Sequence, residues 1–172
     1  MYLYDCGGNM TGYLSAPYTL APTLEGVNET VFYTYGDSNW KDKVTAIGGK
    51  AITYDAIGNP LTYDGWTFTW KAGRMLASMV KTGTNAQFTY DHNGMRIRKI
   101  VNGVTTNYTL NGKNVVHMTQ GSNDLHFFYD AQGKPGMVTY NDVDYFYVYN
   151  LQGDVVALID ANGTQVVEYV YR

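Results

Sequence analysis

The 172-residue chain contains one cysteine, Cys6, and only four prolines. A lone thiol cannot close an internal disulfide, so the fold must be held by burial and hydrogen bonding. Long hydrophobic runs are also missing. The longest, Tyr145 to Tyr149 and Val155 to Ile159, are five residues each, far short of the roughly 20 that a membrane-spanning helix needs. The net charge of −3 leaves no excess of positive charge, which argues against a surface built to displace counterions from nucleic acid. Serine is scarce, at Ser15, Ser38, Ser78 and Ser122, and none lies in a Gly-x-Ser-x-Gly elbow. Gly-x-Gly-x-x-Gly loops and Gly-Lys-Ser/Thr runs are absent, which removes the common dinucleotide and phosphate cradles. The opening Met1-Tyr2-Leu3-Tyr4-Asp5 has neither the basic residues nor the apolar stretch of a secretory leader. Starting in one strand-like phrase and stopping in another at Tyr171-Arg172, the chain reads as a piece of a longer one.

Tyrosine and glycine are abundant instead, at 17 and 19 residues, and with Thr and Val they favour pleated strands and tight turns. One phrase recurs: Tyr4-Asp5-Cys6-Gly7-Gly8, Tyr54-Asp55-Ala56-Ile57-Gly58, Tyr90-Asp91-His92-Asn93-Gly94, Tyr129-Asp130-Ala131-Gln132-Gly133 and Tyr149-Asn150-Leu151-Gln152-Gly153. The tyrosines of the last four copies are 36, 39 and 20 residues apart, near multiples of about 20, the mark of a repeat architecture. Asp160-Ala161-Asn162-Gly163 is a weaker echo, with Ile159 in the tyrosine place.

The phrase has the chemistry of a hairpin corner. Asp at the first position of a type I turn accepts backbone N–H groups, and Gly three residues later supplies the positive φ that closes it. Tyr ends one strand and the next begins beyond the Gly. Strands are expected at residues 29–35, 43–47, 50–54, 60–63, 67–71, 74–80, 87–90, 95–101, 104–110, 114–119, 125–129, 136–141, 144–149, 154–159 and 165–171. Tighter turns are expected at Gly48-Gly49, Asp64-Gly65, Lys71-Ala72-Gly73, Asn102-Gly103 and Asn111-Gly112. Residues 74–80 contain Met, Leu and Ala, which favour a helix. A stretch of seven between Gly73 and Gly83 is short enough to prefer a strand.

These repeats resemble the tyrosine-aspartate (YD) repeats of the bacterial Rhs family and of the teneurin YD-shell. Gly36 to Asp42, Ile52 to Leu61 and Tyr147 to Val155 carry the likeness, which runs from about Val31 to the end. Residues 1–30 match less well and read as a frayed first repeat and connecting loop; residues 31–172 read as the repeat array. The resemblance implies an all-β fold, an antiparallel sheet of successive β-hairpins forming a curved part of a β-shell, a barrel-like cocoon. In that family the repeats lead into a self-cleaving segment with an Asp-Pro-x-Gly-Leu motif and then a variable toxin. This chain has no Asp-Pro dipeptide, so no protease or toxin residue is carried over.

The chemistry-bearing side chains read mostly as structure. His92 lies in a corner, and His117 and His126 lie in strands nine residues apart with no Cys, Asp or Glu at ligand spacing, so they are expected to be sheet residues. Asp142-Val143-Asp144 lacks the further oxygen ligands and the Gly of a calcium loop. Arg96 and Arg98, beside Lys99, share a face at strand spacing and read as a solvated patch. Cys6 occupies a variable corner position. No catalytic residue, cofactor site or metal site is therefore expected, and the residues that matter are those of the corners: Tyr54, Asp55, Gly58, Tyr90, Asp91, Gly94, Tyr129, Asp130, Gly133, Tyr149, Asn150 and Gly153. The resulting expectation is a non-enzymatic wall of a secreted or surface protein, with the remainder of its own longer chain as partner. A second reading has exposed rows of Trp66, Trp70, Tyr145 and Tyr147 stacking on cell-wall or surface glycans.

Overall fold

A computed structural model describes residues 1–20 and 22–171. The described residues form seventeen β-strands and no helix. The chain divides into two compact units, Met1–Gly83 and Thr84–Arg172. The first unit holds β1 (Tyr2–Tyr4), β2 (Met10–Ser15), β3 (Glu29–Thr34), β4 (Ala46–Ile47), β5 (Lys50–Tyr54), β6 (Pro60–Tyr63), β7 (Trp66–Lys71) and β8 (Met75–Lys81). The second holds β9 (Thr84–Tyr90), β10 (Arg96–Val101), β11 (Val104–Asn111), β12 (Asn114–Gln120), β13 (Asn123–Tyr129), β14 (Pro135–Tyr140), β15 (Val143–Tyr149), β16 (Val155–Ile159) and β17 (Gln165–Glu168). Within each unit every strand pairs antiparallel with its successor. The all-β, hairpin-after-hairpin fold expected from the sequence is the fold found.

Departures from the expected strands have local causes. In the stretch read as the first repeat, β1 and β2 pair around a corner at Asp5. The strand expected at 43–47 shrinks to β4 because Asp37 Oδ1 accepts the N–H groups of Asn39 and Trp40 and draws the chain into a loop. The strand preferred at 74–80 is found, shifted by one residue to β8 (Met75–Lys81), where Phe68 and Met79 face each other across the hairpin with β7. At Asn111-Gly112 the turn is displaced by one: Asn111 pairs with Asn114, which leaves Gly112 and Lys113 to make the bend.

The two faces of each unit differ. In the first, Ile52, Tyr63, Trp66, Phe68 and Trp70 share one face. The other carries Thr–Thr and Thr–Ser hydroxyl pairs, Thr53 with Thr62 and Thr69 with Ser78, both at 2.6 Å. In the second, Leu125, Phe127, Val138, Tyr145, Tyr147 and Leu158 lie on one face; His117, His126, Thr139 and Asp144 lie on the other. Yet among the described residues only Ala86, Val138 and Ala157 are buried apolar side chains. A single layer of sheet has nothing to close its apolar face against, so the large aromatics stay half-buried.

Every corner is followed by a β-bulge. Thr53 pairs with Thr62 but Tyr54 with Pro60, so Leu61 is the extra residue. Thr11, Ile97, Gly136, Val156 and Val166 are extra in the same way after the other corners. Bulges bend a strand and increase its twist, so curvature is built in at each repeat. One bulge corrects an expectation. Because Ile97 is extra, Arg96 and Arg98 do not share a face: Arg96 stacks over Phe88 and Tyr108, whereas Arg98 pairs with Thr89 and Asn107 on the opposite side.

Candidate functional site

The corners are built alike. The Oδ1 atoms of Asp5, Asp55, Asp91, Asp130 and Asp160 each accept the backbone N–H groups two and four residues on, at 2.8–3.0 Å. The Gly three residues after each Asp, and Gly153 after Asn150, has φ between +78° and +92° and donates its N–H back to the Asp or Asn carbonyl at 3.0–3.2 Å. All twelve corner residues read from the sequence sit in this geometry or end the strand that leads into it. The hydrogen bond from the Asn9 side chain holds the Asp5 carboxyl below its ordinary value, helped by the N–H groups of the turn. Burial works to raise Asp55, but the N–H groups of Asn59 and Ile57 outweigh it and the net shift is downward.

A second component was not legible in the sequence. The carbonyl of the residue just before a bulge is taken by an aromatic donor: Met10 by Tyr35 Oη at 2.8 Å, Pro60 by Trp70 Nε1 at 2.7 Å, Val115 by Tyr129 Oη at 2.8 Å and Val155 by Tyr171 Oη at 2.6 Å. Pro135 receives Tyr149 Oη likewise. Burial pushes the hydroxyls of Tyr35, Tyr129 and Tyr149 up. Tyrosine thus does more than end a strand: it ties one hairpin to the strand before it, and the only cue in the sequence is its recurrence.

The residues considered for glycan stacking do not form exposed rows. Trp66 and Trp70 are half-buried on one face of β7, with Trp66 stacked against Phe68 and Trp70 bonded to Pro60. Tyr145 and Tyr147 are half-buried in the second unit, where burial pushes the Tyr147 hydroxyl up to about 12. A half-buried ring already in contact with its own sheet offers little free face to a sugar.

Among the described residues, the structure does bring together one set of ligand-type side chains. His117 and His126 are directly opposite in the β12–β13 hairpin, their rings stacked at 4.3 Å between centroids and 13° between planes. Asp124 lies two residues before His126 and therefore on the same face. Its Oδ1 is 3.1 Å from His117 Nε2 and 3.0 Å from His126 Nε2. The expectation that no carboxylate stands at ligand spacing is thus corrected: two residues along a strand, plus a cross-strand partner, is a spacing that a hairpin brings to one point. His92 is exposed in its corner, and Cys6 is exposed and free. Asp142 takes a turn position at φ 65°, and Asp144 accepts the Thr139 hydroxyl at 2.6 Å. No helix among the described residues is long and apolar enough to cross a membrane.

No protein-family model matches the chain. It is 33% identical over 99% of its length to the tRNA3(Ser)-specific nuclease WapA of Bacillus spizizenii and, to the same extent, to the tRNA nuclease WapA of Bacillus subtilis. The chain spans about 7% of the length of these curated relatives. Among solved structures it is similar to a Tc holotoxin pore of Photorhabdus luminescens carrying a mutation in TccC3, with a TM-score of 0.55, 16% identity, and coverage of 99% of this chain and 9% of the other. That likeness is one of fold. With corner, bulge and aromatic tie recurring along its length, and with relatives of this kind matching 99% of it, the chain belongs to the YD-repeat proteins of the Rhs type.

Proposed function

We propose that these repeats are a wall segment of a shell, which encloses or presents a downstream effector of a secreted or cell-surface toxin and catalyses nothing itself. The observation that carries this reading is the single-layered, bulged sheet. Its aromatic face is too large to leave in water and has no second layer of its own, while a bulge at each corner turns the strands in a repeated way. Such a wall becomes stable by continuing into further repeats. Its partner is then the rest of its own longer chain. The relatives named above are nucleases many times longer than this chain, and in our reading cleavage belongs to parts of the protein outside the wall.

Limited proteolysis of the full-length protein tests this. The effector portion should resist digestion in the intact protein and become sensitive when the corners are weakened by Gly58→Ala combined with Asn59→Ala. Equal sensitivity of the effector in both proteins, or tRNA cleavage by the purified 172-residue chain, would overturn it.

A further inference from the structure

We propose that His117, Asp124 and His126 form a binding site for a divalent transition-metal ion of the zinc class, on the open face of the β12–β13 hairpin. Three potential ligand atoms, one from each residue, lie within 4.8 Å of one another. The two nitrogen-to-oxygen separations are 3.1 and 3.0 Å. In a tetrahedral site with metal–nitrogen and metal–oxygen bonds of roughly 2.0–2.2 Å, neighbouring ligand atoms stand about 3.3 Å apart. The two nitrogen-to-oxygen separations are therefore a few tenths of an ångström short of those in a loaded site, and side-chain rotations that part the stacked rings make room for an ion between them.

The donor set selects the ion. Two imidazoles and one carboxylate suit zinc, copper or nickel, whereas calcium and magnesium require several oxygen ligands that this face does not converge. The backbone favours the site as well. His117 and His126 are held opposite each other by the ladder, and the Asp124 N–H is fixed by Asn141 Oδ1 at 2.8 Å, so the ligands start from one geometry. The side chains are 31%, 49% and 52% exposed for His117, Asp124 and His126. An ion can reach them from solvent, and water completes its coordination. Each ring then carries its remaining proton on Nδ1 and bonds the ion through Nε2. Ligands drawn from both β12 and β13 make the ion a clip across the hairpin, a role open to a chain whose lone Cys6 cannot form an internal disulfide.

The test uses zinc chloride and the untagged chain. Calorimetric titration should show one zinc ion per chain, and the melting temperature should rise with zinc concentration, as linkage requires. His126→Gln and Asp124→Asn should each weaken binding by more than about tenfold, since each removes one of three protein ligands, while His92→Gln should leave it unchanged. Far-ultraviolet circular dichroism identifies any variant that has lost its fold. Independently of the variants, zinc added to the parent should shift the ring resonances of His117 and His126 together and leave those of His92 in place. Binding of the same strength in His126→Gln, a shift confined to His92, or equal competition by magnesium would overturn the proposal.

Discussion

Asn59 donates its side-chain amide to Asp55 Oδ2 at 2.8 Å and to the carbonyl of Gly73 at 2.7 Å, and thereby joins a corner to the next hairpin turn. It is 3% exposed. In the copy at Tyr149 the two residue types are exchanged: Asn150 Nδ2 donates to Asp154 Oδ2 at 3.1 Å, and Asn150 Oδ1 accepts the Asp154 N–H at 2.9 Å. The pair is kept while donor and acceptor change places. Asn59→Ala should therefore cost about 1–3 kcal/mol, because it removes the buried amide that bonds both the Asp55 carboxylate and the Gly73 carbonyl. Exchanging Asn150 and Asp154 in a double variant should cost under about 0.5 kcal/mol, since the exposed pair is remade. Denaturant melts of the three proteins check both; a neutral Asn59→Ala would remove the link from corner to turn.

The corner glycines should not be equivalent. A Cβ at Gly94 or Gly133 meets open space, so alanine there suffers only the positive φ, a loss of about 1–2 kcal/mol. At Gly58, φ is +86° and a Cβ would also lie 2.8 Å from the Trp40 ring. Gly58→Ala should be the most damaging of the three, and combining it with Trp40→Ala should recover part of the difference. Equal melting temperatures for all three alanine variants would count against the Trp40 contact.

Ala72 has φ 44° in the bend between β7 and β8, a left-handed conformation that Ala tolerates poorly and Asn readily. Ala72→Asn should raise stability by about 0.5–1 kcal/mol. A thermal melt that shows no gain would indicate that this turn relaxes in solution.

The Lys43 ammonium, followed by the N–H groups of Trp40 and Asn39, holds the Asp37 carboxyl down at about 2 from an ordinary 3.8. The folded value lies below the unfolded one, so the contribution is fully present above the ordinary value and is lost as pH falls through about 2. The stability difference between the parent and Asp37→Asn should accordingly shrink across that acidic window. A difference that stays constant in melts down to pH 2 would show that Asp37 acts through its turn hydrogen bonds alone.

Tyr129→Phe removes the hydroxyl that reaches the Val115 carbonyl and keeps the ring. It should cost about 1 kcal/mol, the net worth of one hydrogen bond, with hydrogen exchange accelerating first in β12. A variant as stable as the parent would reduce the tyrosine tie to ring packing.

What the sequence determined by itself was everything whose cause lies within four or five residues. Asp55 and Gly58 specify their corner through an acceptor, two nearby N–H groups and one positive φ, and no distant neighbour is needed; hence the corners, the strands between them and the all-β class were legible. Tertiary structure alone decided what depends on register. The extra residue at Ile97 puts Arg96 and Arg98 on opposite faces, against the simple alternation of a strand. The gap expected between strands at 119 and 125 closes to a turn at Gly121 and Ser122, with Gln120 opposite Asn123. Only that closure sets His117 against His126 and carries Asp124 between their nitrogens. A one-residue slip would send the same side chains to the other face, so the corner phrase marks where strands turn, and the bulges and cross-strand pairing decide what meets.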